Sequence, residues 1–380
     1  MSVAKLRILH LHSSFEPGGK ELRSAKLINA FGAQFAHTIV SAQPEALGAA
    51  SAINPAIPVS FPSDFPALAG RPTPGRLQRI AKAMLGHDLV LTYNWGAMDA
   101  VMAHTVFAKA FGLPPLVHHE DGFNQDEALT LKPIRNWYRR IALGRAQALV
   151  VPSEQLEDIA ISVWQQPPAK VHRIINGIPT LAYGKKARPD ALPRVIKHPG
   201  EMWLGTLAGL RPVKNLPRLV RAFAALPEHW HLVILGEGPE RETIRAEAIQ
   251  LGIGHRVHLP GFAADPAKVL GLFDLFALSS DSEQFPISVV EAMAAGLAVV
   301  APRVGDVEMM VAAENRPYLA EPGDEAGLAE ALGMLAANPR ERRLIGAANR
   351  QIAREEFDEA RMVSAYRAVY ARAMRRGSFP

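Results

Sequence analysis

The stretch Ser279-Ser280-Asp281-Ser282-Glu283-Gln284-Phe285-Pro286-Ile287-Ser288-Val289-Val290-Glu291-Ala292-Met293-Ala294-Ala295-Gly296 concentrates the chemistry of this chain. Pro286 suits the first position of a helix, where its missing N–H costs nothing. The amides of Ile287 and Ser288 then point out of the helix with the positive end of its dipole, which makes an anion site. Glu291 lies ~7–8 Å further along the axis, at about 1.5 Å per residue. A ligand laid along this helix would put a diphosphate on its N-terminus and a ribose diol on the Glu291 carboxylate. Glu283, ahead of the helix, reaches groups beyond the phosphates, such as sugar hydroxyls. The competing reading makes Glu291 an ordinary exposed glutamate. Its neighbours, however, are apolar on nearly every face, and a carboxylate among them is costly to bury unless something binds it.

A second cluster is Gly209-Leu210-Arg211-Pro212-Val213-Lys214-Asn215, between a strand and a helix that Asn215 is predicted to cap. Arg211 and Lys214 form a plausible diphosphate clamp, neutralising a leaving group without a divalent metal. Asp281-Ser282-Glu283 is the nearest match to an Asp-x-Asp metal motif, but its glutamate already has a use, and the histidines show no zinc-type spacing. No metal and no resident cofactor are expected.

These clusters need a scaffold. Arg7–His12 reads as a buried strand running through Pro17-Gly18-Gly19 into a helix at about Glu21–Phe31, the opening of a doubly wound fold. Strands at Asp88–Thr92, Pro115–His119 and Ala148–Val151 alternate with helices at Ala97–Phe111 and Pro133–Gly144, and Ser153 caps a further helix towards Trp164. A second array of the same kind starts at Met202, with Gly236-Glu237-Gly238-Pro239 after the strand His231–Leu235; Asp265-Pro266 is read as capping another helix. From Asp324 onward the chain is essentially all helix. The expectation is α/β: a Rossmann-like acceptor domain over residues 1–180 and a Rossmann-like donor domain over 200–357. A proline-rich, basic linker at 181–199 joins them, and the helix in 358–380 returns to the first. Two such domains would face a cleft at the carboxyl ends of their strands, where ligands bind.

Taken together, Glu283 and Glu291 with Ala-Met-Ala-Ala-Gly behind them, Gly-Leu-Arg-x-x-Lys-Asn, and Gly-Glu-Gly-Pro resemble glycosyltransferase family 4 of the GT-B fold. The likeness extends to Pro17-Gly18-Gly19 and to the Asn176-Gly177-Ile178 turn, nearly the whole chain. It implies a retaining transferase that uses a nucleotide diphosphate sugar as co-substrate. By position, Arg211 and Lys214 would bind the diphosphate, Glu291 the ribose, and Glu283 with the Phe285, Pro286, Ile287 and Ser288 backbone the donor sugar. Gly236 and Glu237 would border the donor, and Gly18 and Gly19 would approach its phosphates from the opposite domain. The family usually places a histidine near the reacting carbon, whereas here Asp121 falls at that position, with His118 and His119 just before it. Asp121 would accept a hydrogen bond from a sugar hydroxyl or act as a base for the acceptor; a shifted loop would give the role to His119. His118 and His119 point to opposite faces of their strand, so at least one is structural.

Bulk properties fit this picture. The 380 residues are 48% apolar and 21% charged, with net charge +5 and no cysteine, so a soluble globular protein without disulfides or thiolate chemistry is expected. Neither a signal peptide nor a membrane span of ~20 residues is evident, so the expected location is the cytoplasm. Lys132–Arg145 mixes Arg135, Arg139 and Arg140 with Trp137 and Tyr138. It reads either as a surface for anionic lipid on the inner membrane face or a lipid-linked acceptor, or as a core helix whose stripe is Ile134, Trp137, Tyr138 and Ile141. The acceptor is expected to be a glycan or lipid-linked, in cell-envelope polysaccharide or glycolipid synthesis; no nucleic acid partner is expected. Rival readings are a nucleotide-sugar epimerase or hydrolase of the same fold and a catalytically silent nucleotide-sugar-binding protein. A dinucleotide oxidoreductase is disfavoured, since no Gly-x-Gly-x-x-Gly follows a strand with an acid ~20 residues on.

Overall fold

The computed structural model describes residues 5–123, 127, 130–185 and 187–379. Met1–Ala4, Lys186 and Pro380, which belong to stretches read above, lie outside the described residues. The chain forms two compact units, Met1–Ile175 with Met362–Pro380, and Asn176–Arg361.

In the first unit, buried runs such as Leu6–His12 form parallel strands that alternate with helices, as a fully covered sheet requires. The elements are β1 (Leu6–His12), α1 (Gly19–Phe31), β2 (Phe35–Ser41), β3 (Val59–Ser60), α2 (Pro74–Ala83), β4 (Leu89–Tyr93), α3 (Met98–Phe111), β5 (Leu116–His119), α4 (Pro133–Ala142), β6 (Ala148–Val151), α5 (Glu154–Ser162) and β7 (Val171–Arg173). The strand order is β3-β2-β1-β4-β5-β6-β7. Strands β2 and β7 carried no clear signal in the sequence. Ser153 caps α5 as expected, its Oγ accepting from the Leu156 amide at 3.2 Å.

The second unit repeats the plan with β8 (Met202–Leu207), α6 (Leu216–Ala224), β9 (Trp230–Leu235), α7 (Arg241–Gln250), β10 (Val257–Gly261), β11 (Leu275–Ala277), α8 (Ile287–Ala295), β12 (Val299–Pro302), α9 (Val307–Met310), β13 (Leu319–Ala320), α10 (Glu325–Ala337) and α11 (Pro339–Glu356). Its order is β10-β9-β8-β11-β12-β13. After Asp265-Pro266 the chain makes only short 3-10 turns instead of the expected helix. In each sheet the order reverses beside the first strand, between β1 and β4 and between β8 and β11. Loops at the carboxyl ends of those strands border a crevice, the place where open α/β sheets bind ligands.

Two expectations change. Residues 181–199 are not a free linker: Tyr183 and Leu192 are buried in the second unit, and Lys197 pairs with Asp274 at 2.6 Å. Proline and charge masked the anchoring side chains. Helix α4 is inverted relative to the core-stripe reading. Ile134 is 72% and Trp137 59% exposed, while Arg139 is fully buried. The cause lies inside, where buried Glu120 and Glu127 face Arg139 at 3.4 and 3.1 Å and the rings of Trp95, Phe123 and Trp164 lie 4.9–5.4 Å from its guanidinium. Buried carboxylates demand a cation more strongly than the core demands one more isoleucine.

The last helix, α12 (Glu359–Ala373), brings Tyr366 and Tyr370 against the first sheet. Beneath it runs a buried chain of rings. His10 bonds His37 at 2.9 Å and the Tyr93 hydroxyl at 3.2 Å, His12 stacks on Tyr93 at 4.0 Å, and His119 bonds the Tyr370 hydroxyl at 2.9 Å. Burial lowers the pKa of all four histidines, that of His37 to about 4 and of His119 to about 3. The unfolded chain takes up these protons near pH ~6.5, whereas the folded chain resists until well below it. The unfolded state therefore binds more protons in that window, and stability falls as pH drops from about 6.5 towards 4, by up to ~1.4 kcal/mol per histidine per pH unit. Urea melts at pH 7, 6 and 5 should show a falling midpoint, and His12→Phe a shallower fall. A midpoint constant across the window would contradict the assignment of these rings as neutral.

Candidate active site

In the second unit the loops after β8 and β11 are zipped together by local bonds. The Asp281 amide donates to the Val213 carbonyl and the Ser279 hydroxyl to the Lys214 carbonyl, each at 2.9 Å. Asn215 does not cap α6 with its side chain. It sits in the left-handed region at φ 42° and donates its amide to both Asp281 oxygens at 3.2 Å, beside Arg218, 2.7 Å from the same carboxylate. This lacing brings Lys214 to Glu283. Its ammonium donates to Oε1 at 2.5 Å, and the Ser280 hydroxyl donates to the same oxygen at 2.6 Å. The two charges assigned to neighbouring parts of one ligand thus neutralise each other, and a donor would share them. Arg211 is exposed, with no acidic partner among the described residues.

Backbone approach fixes the rest. Gly236 has φ 148°, and a Cβ there would stand 1.8 Å from the Ala208 carbonyl oxygen, so only glycine lets the β9 turn lie against the β8 loop. Glu237 holds that loop through its backbone, accepting from the Leu210 amide at 2.9 Å, while its exposed side chain faces Arg241 at 3.5 Å. Gly305, at φ 55°, would place a Cβ 2.5 Å from the Glu283 and Gln284 carbonyls, and the Asp306 amide donates to the latter at 3.0 Å.

Pro286 is the N-cap of α8, in extended conformation one residue before the helix, and Phe285 beside it is buried. The first-turn amides of Ile287 and Ser288, both half-buried, therefore lack intrahelical carbonyls, as helix geometry dictates. Half-buried Glu291 is no ordinary surface residue: it accepts the Tyr183 hydroxyl at 2.8 Å.

In the first unit, Gly18 caps α1 and Gly19 begins it; a Cβ on Gly18 would meet the Glu21 carboxylate at 2.7 Å. Lys20 pairs with Glu21, and burial pulls its pKa down to about 8. Asp121 is gripped by both guanidinium nitrogens of Arg23, one at 2.8 Å, and its amide donates to Asn94 Oδ1 at 2.8 Å. Burial alone would raise the Asp121 pKa, but the adjoining Arg23 outweighs it and holds the carboxyl below its usual range. An aspartate so held is a poor base and a good hydrogen-bond acceptor. His119 is engaged at both nitrogens, by the Thr92 carbonyl at 3.1 Å and by Tyr370, so a shifted-loop role finds no open ring nitrogen. His118 is likewise buried between Thr92 and Glu120.

Arg23, Tyr183, Ser280 and Asn94 escaped the reading of the sequence. Arg23 carried a weak signal, a cation in the helix after the glycine loop; Tyr183 lay in the supposed linker.

Residues 193–352 match the family described as Glycosyl transferases group 1, and residues 17–180 the one described as Glycosyltransferase Family 4. The N-acetyl-alpha-D-glucosaminyl L-malate synthase of Bacillus anthracis is 28% identical over 54% of this chain and 54% of its own length. A Campylobacter jejuni transferase, N-acetylgalactosamine-N,N'-diacetylbacillosaminyl-diphospho-undecaprenol 4-alpha-N-acetylgalactosaminyltransferase, is 30% identical over 40% of each chain. The chain spans about half the length of the curated relatives it matches. Anabaena HepE, solved with UDP, superposes with TM-score 0.79 over 97% of this chain and 100% of its own at 21% identity, a likeness of fold.

The Arg23–Asp121 pair yields a direct test. Arg23→Met should destabilise the protein by ~3–5 kcal/mol in urea unfolding, because it strands a buried carboxylate. Arg23→Met/Asp121→Asn should recover part of that loss. Equal losses in the single and double variants would deny the pairing.

Proposed function

Because this chain belongs to glycosyltransferase family 4, of the GT-B class, we propose that it transfers a sugar from a nucleotide diphosphate sugar to an acceptor with retention of anomeric configuration. The observation that carries this is α8, with orphan amides at Ile287 and Ser288 and a half-buried Glu291 about one turn on. The diphosphate takes the helix N-terminus and Arg211 and Lys214, the ribose takes Glu291, and the sugar takes Glu283 with the backbone from Phe285. Retention lets the departing phosphate itself accept the incoming hydroxyl's proton, so no separate base is needed. This suits an Asp121 held ionised by Arg23, which is a poor base. Arg211 and Lys214 supply the positive charge that a divalent ion otherwise provides, so neither metal nor resident cofactor takes part.

The HepE structures hold UDP and UDP-glucose, which makes uridine nucleotides the first probes. Glu291→Ala should weaken UDP binding at least tenfold in calorimetry while the fold survives, and turnover should persist in excess EDTA with the product anomer matching the donor by NMR. Unchanged affinity would remove the ribose assignment, and magnesium-dependent rescue after EDTA would remove the leaving-group chemistry.

The acceptor is a glycan or a lipid-linked saccharide of the cell envelope, a reading supported by the undecaprenol-linked substrate in the Campylobacter relative's name and by a lipopolysaccharide-core relative in Rhizobium meliloti. The outer face of α4 favours the lipid-linked class. Ile134, Trp137 and Ile141 are exposed there beside exposed Arg140 and Arg145, and a cavity of about 480 Å³ lined by Leu68, Trp95, Ile134 and Tyr138 adjoins it. Among the described residues no helix is long and apolar enough to cross a membrane. We place the protein peripherally on the inner face of the cytoplasmic membrane, α4 against anionic lipid. It should sediment with phosphatidylglycerol vesicles and not with phosphatidylcholine vesicles, and Trp137→Glu should abolish the difference. Equal sedimentation of Trp137→Glu and wild type would refute this face.

A further inference from the structure

Tyr183 belongs to the stretch that reads as linker, yet it is only 5% exposed. It sits on a short 3-10 turn, Thr180–Gly184, whose entry is bolted down. Ile178 exchanges backbone hydrogen bonds with Phe357 and Glu359 at 3.0 and 2.9 Å, and the Thr180 hydroxyl donates to Asp358 at 2.7 Å. Gly177 lies so close to this strut that a Cβ would stand 2.8 Å from the Glu359 Cα. The turn therefore has little freedom, and the ring it carries is delivered to one place. There its hydroxyl donates to Glu291 Oε1 at 2.8 Å.

We propose that Tyr183 is a positioning residue for the donor site, orienting the Glu291 carboxylate towards the ribose diol and so setting the preference for ribonucleotides. The inference rests on the assignment of Glu291 to the ribose. Glu291 stands on a helix flanked by Val290 and Ala292, both buried, and a glutamate keeps rotamer freedom there unless something holds it. A carboxylate offers about four lone-pair sites, so it accepts from the tyrosine and still receives ligand hydroxyls. Burial and the nearby Glu291 push the tyrosine pKa up, so the hydroxyl stays a donor throughout the neutral range. A bond from a neutral donor to an ionised oxygen is of the strong kind. Removing it takes away the hold that the tyrosine has on Oε1, and the cost falls on the ribose hydroxyls that the carboxylate receives.

The test is a cycle of dissociation constants for UDP and 2′-deoxy-UDP, and for GDP and 2′-deoxy-GDP, with wild type, Tyr183→Phe, Glu291→Ala and the double variant. Tyr183→Phe removes a single oxygen and keeps the packing. It should cost roughly tenfold in affinity for the ribonucleotide that binds and much less for its deoxy form, so the ratio between them shrinks. The double variant should discriminate no less than Glu291→Ala alone. Equal losses for both sugars, or an unchanged ratio, in Tyr183→Phe while Glu291→Ala loses the ratio would overturn the positioning role and leave the ribose assignment standing. A full ratio retained in Glu291→Ala would overturn the assignment and the positioning role together.

Discussion

Every carboxylate placed at or under the carboxyl edge of these two sheets needs a partner, and that need organises the protein. Taking an ionised group out of water costs several kcal/mol unless charge or hydrogen bonds replace the solvent. Asp121 is met by Arg23, Glu283 by Lys214 and Ser280, Glu291 by Tyr183, and Glu120 and Glu127 by Arg139. Buried ion pairs of this kind are weak contributors to stability, since apolar residues of similar volume often replace a whole pair at no cost. The carboxylates lie in the loops that follow β5 and β11 and on helix α8. The partners fix the orientation of each carboxylate.

The same need explains the feature least like an ordinary globular protein. Helix α4 turns Arg135 and Arg139 inward because two buried glutamates and three aromatic rings await them, and its isoleucines and tryptophan are left facing water. An apolar face of this kind is expensive to leave uncovered, and on a monomer it marks a surface that meets something. An internal electrostatic requirement has thereby set the character of an external surface.

The scaffold makes this economy possible through topology. Both sheets reverse their order beside their first strand, and in the second unit Lys214 and Glu283 sit on the two loops that flank the reversal. Glycines at Gly236 and Gly305 then let backbone approach backbone, so that side chains on separate loops come within hydrogen-bond distance without long reaches. In the first unit the histidine and tyrosine rings under α12 fill the space beneath the Arg23–Asp121 pair as neutral groups, packing the edge without adding charge to it.

The sequence by itself determined the class of fold, because hydrophobic runs of strand length alternate with amphipathic helices over nearly the whole chain. It also determined helix α8, because Pro286, Gly296 and the isolated Glu291 are signals within one local segment. Those elements depend on contacts between near neighbours, which periodicity and capping record. What only the tertiary structure decided were pairings across long separations: Arg23 with Asp121, Tyr183 with Glu291, Lys214 with Glu283. Nothing local distinguishes a tyrosine in a proline-rich stretch, or an arginine in an amphipathic helix, from a solvated one. The direction faced by α4 belongs to the same group, since its apolar spacing fits an inward stripe equally well. The choice was made by Glu120 and Glu127, whose demand for a cation exists only once the sheet has buried them.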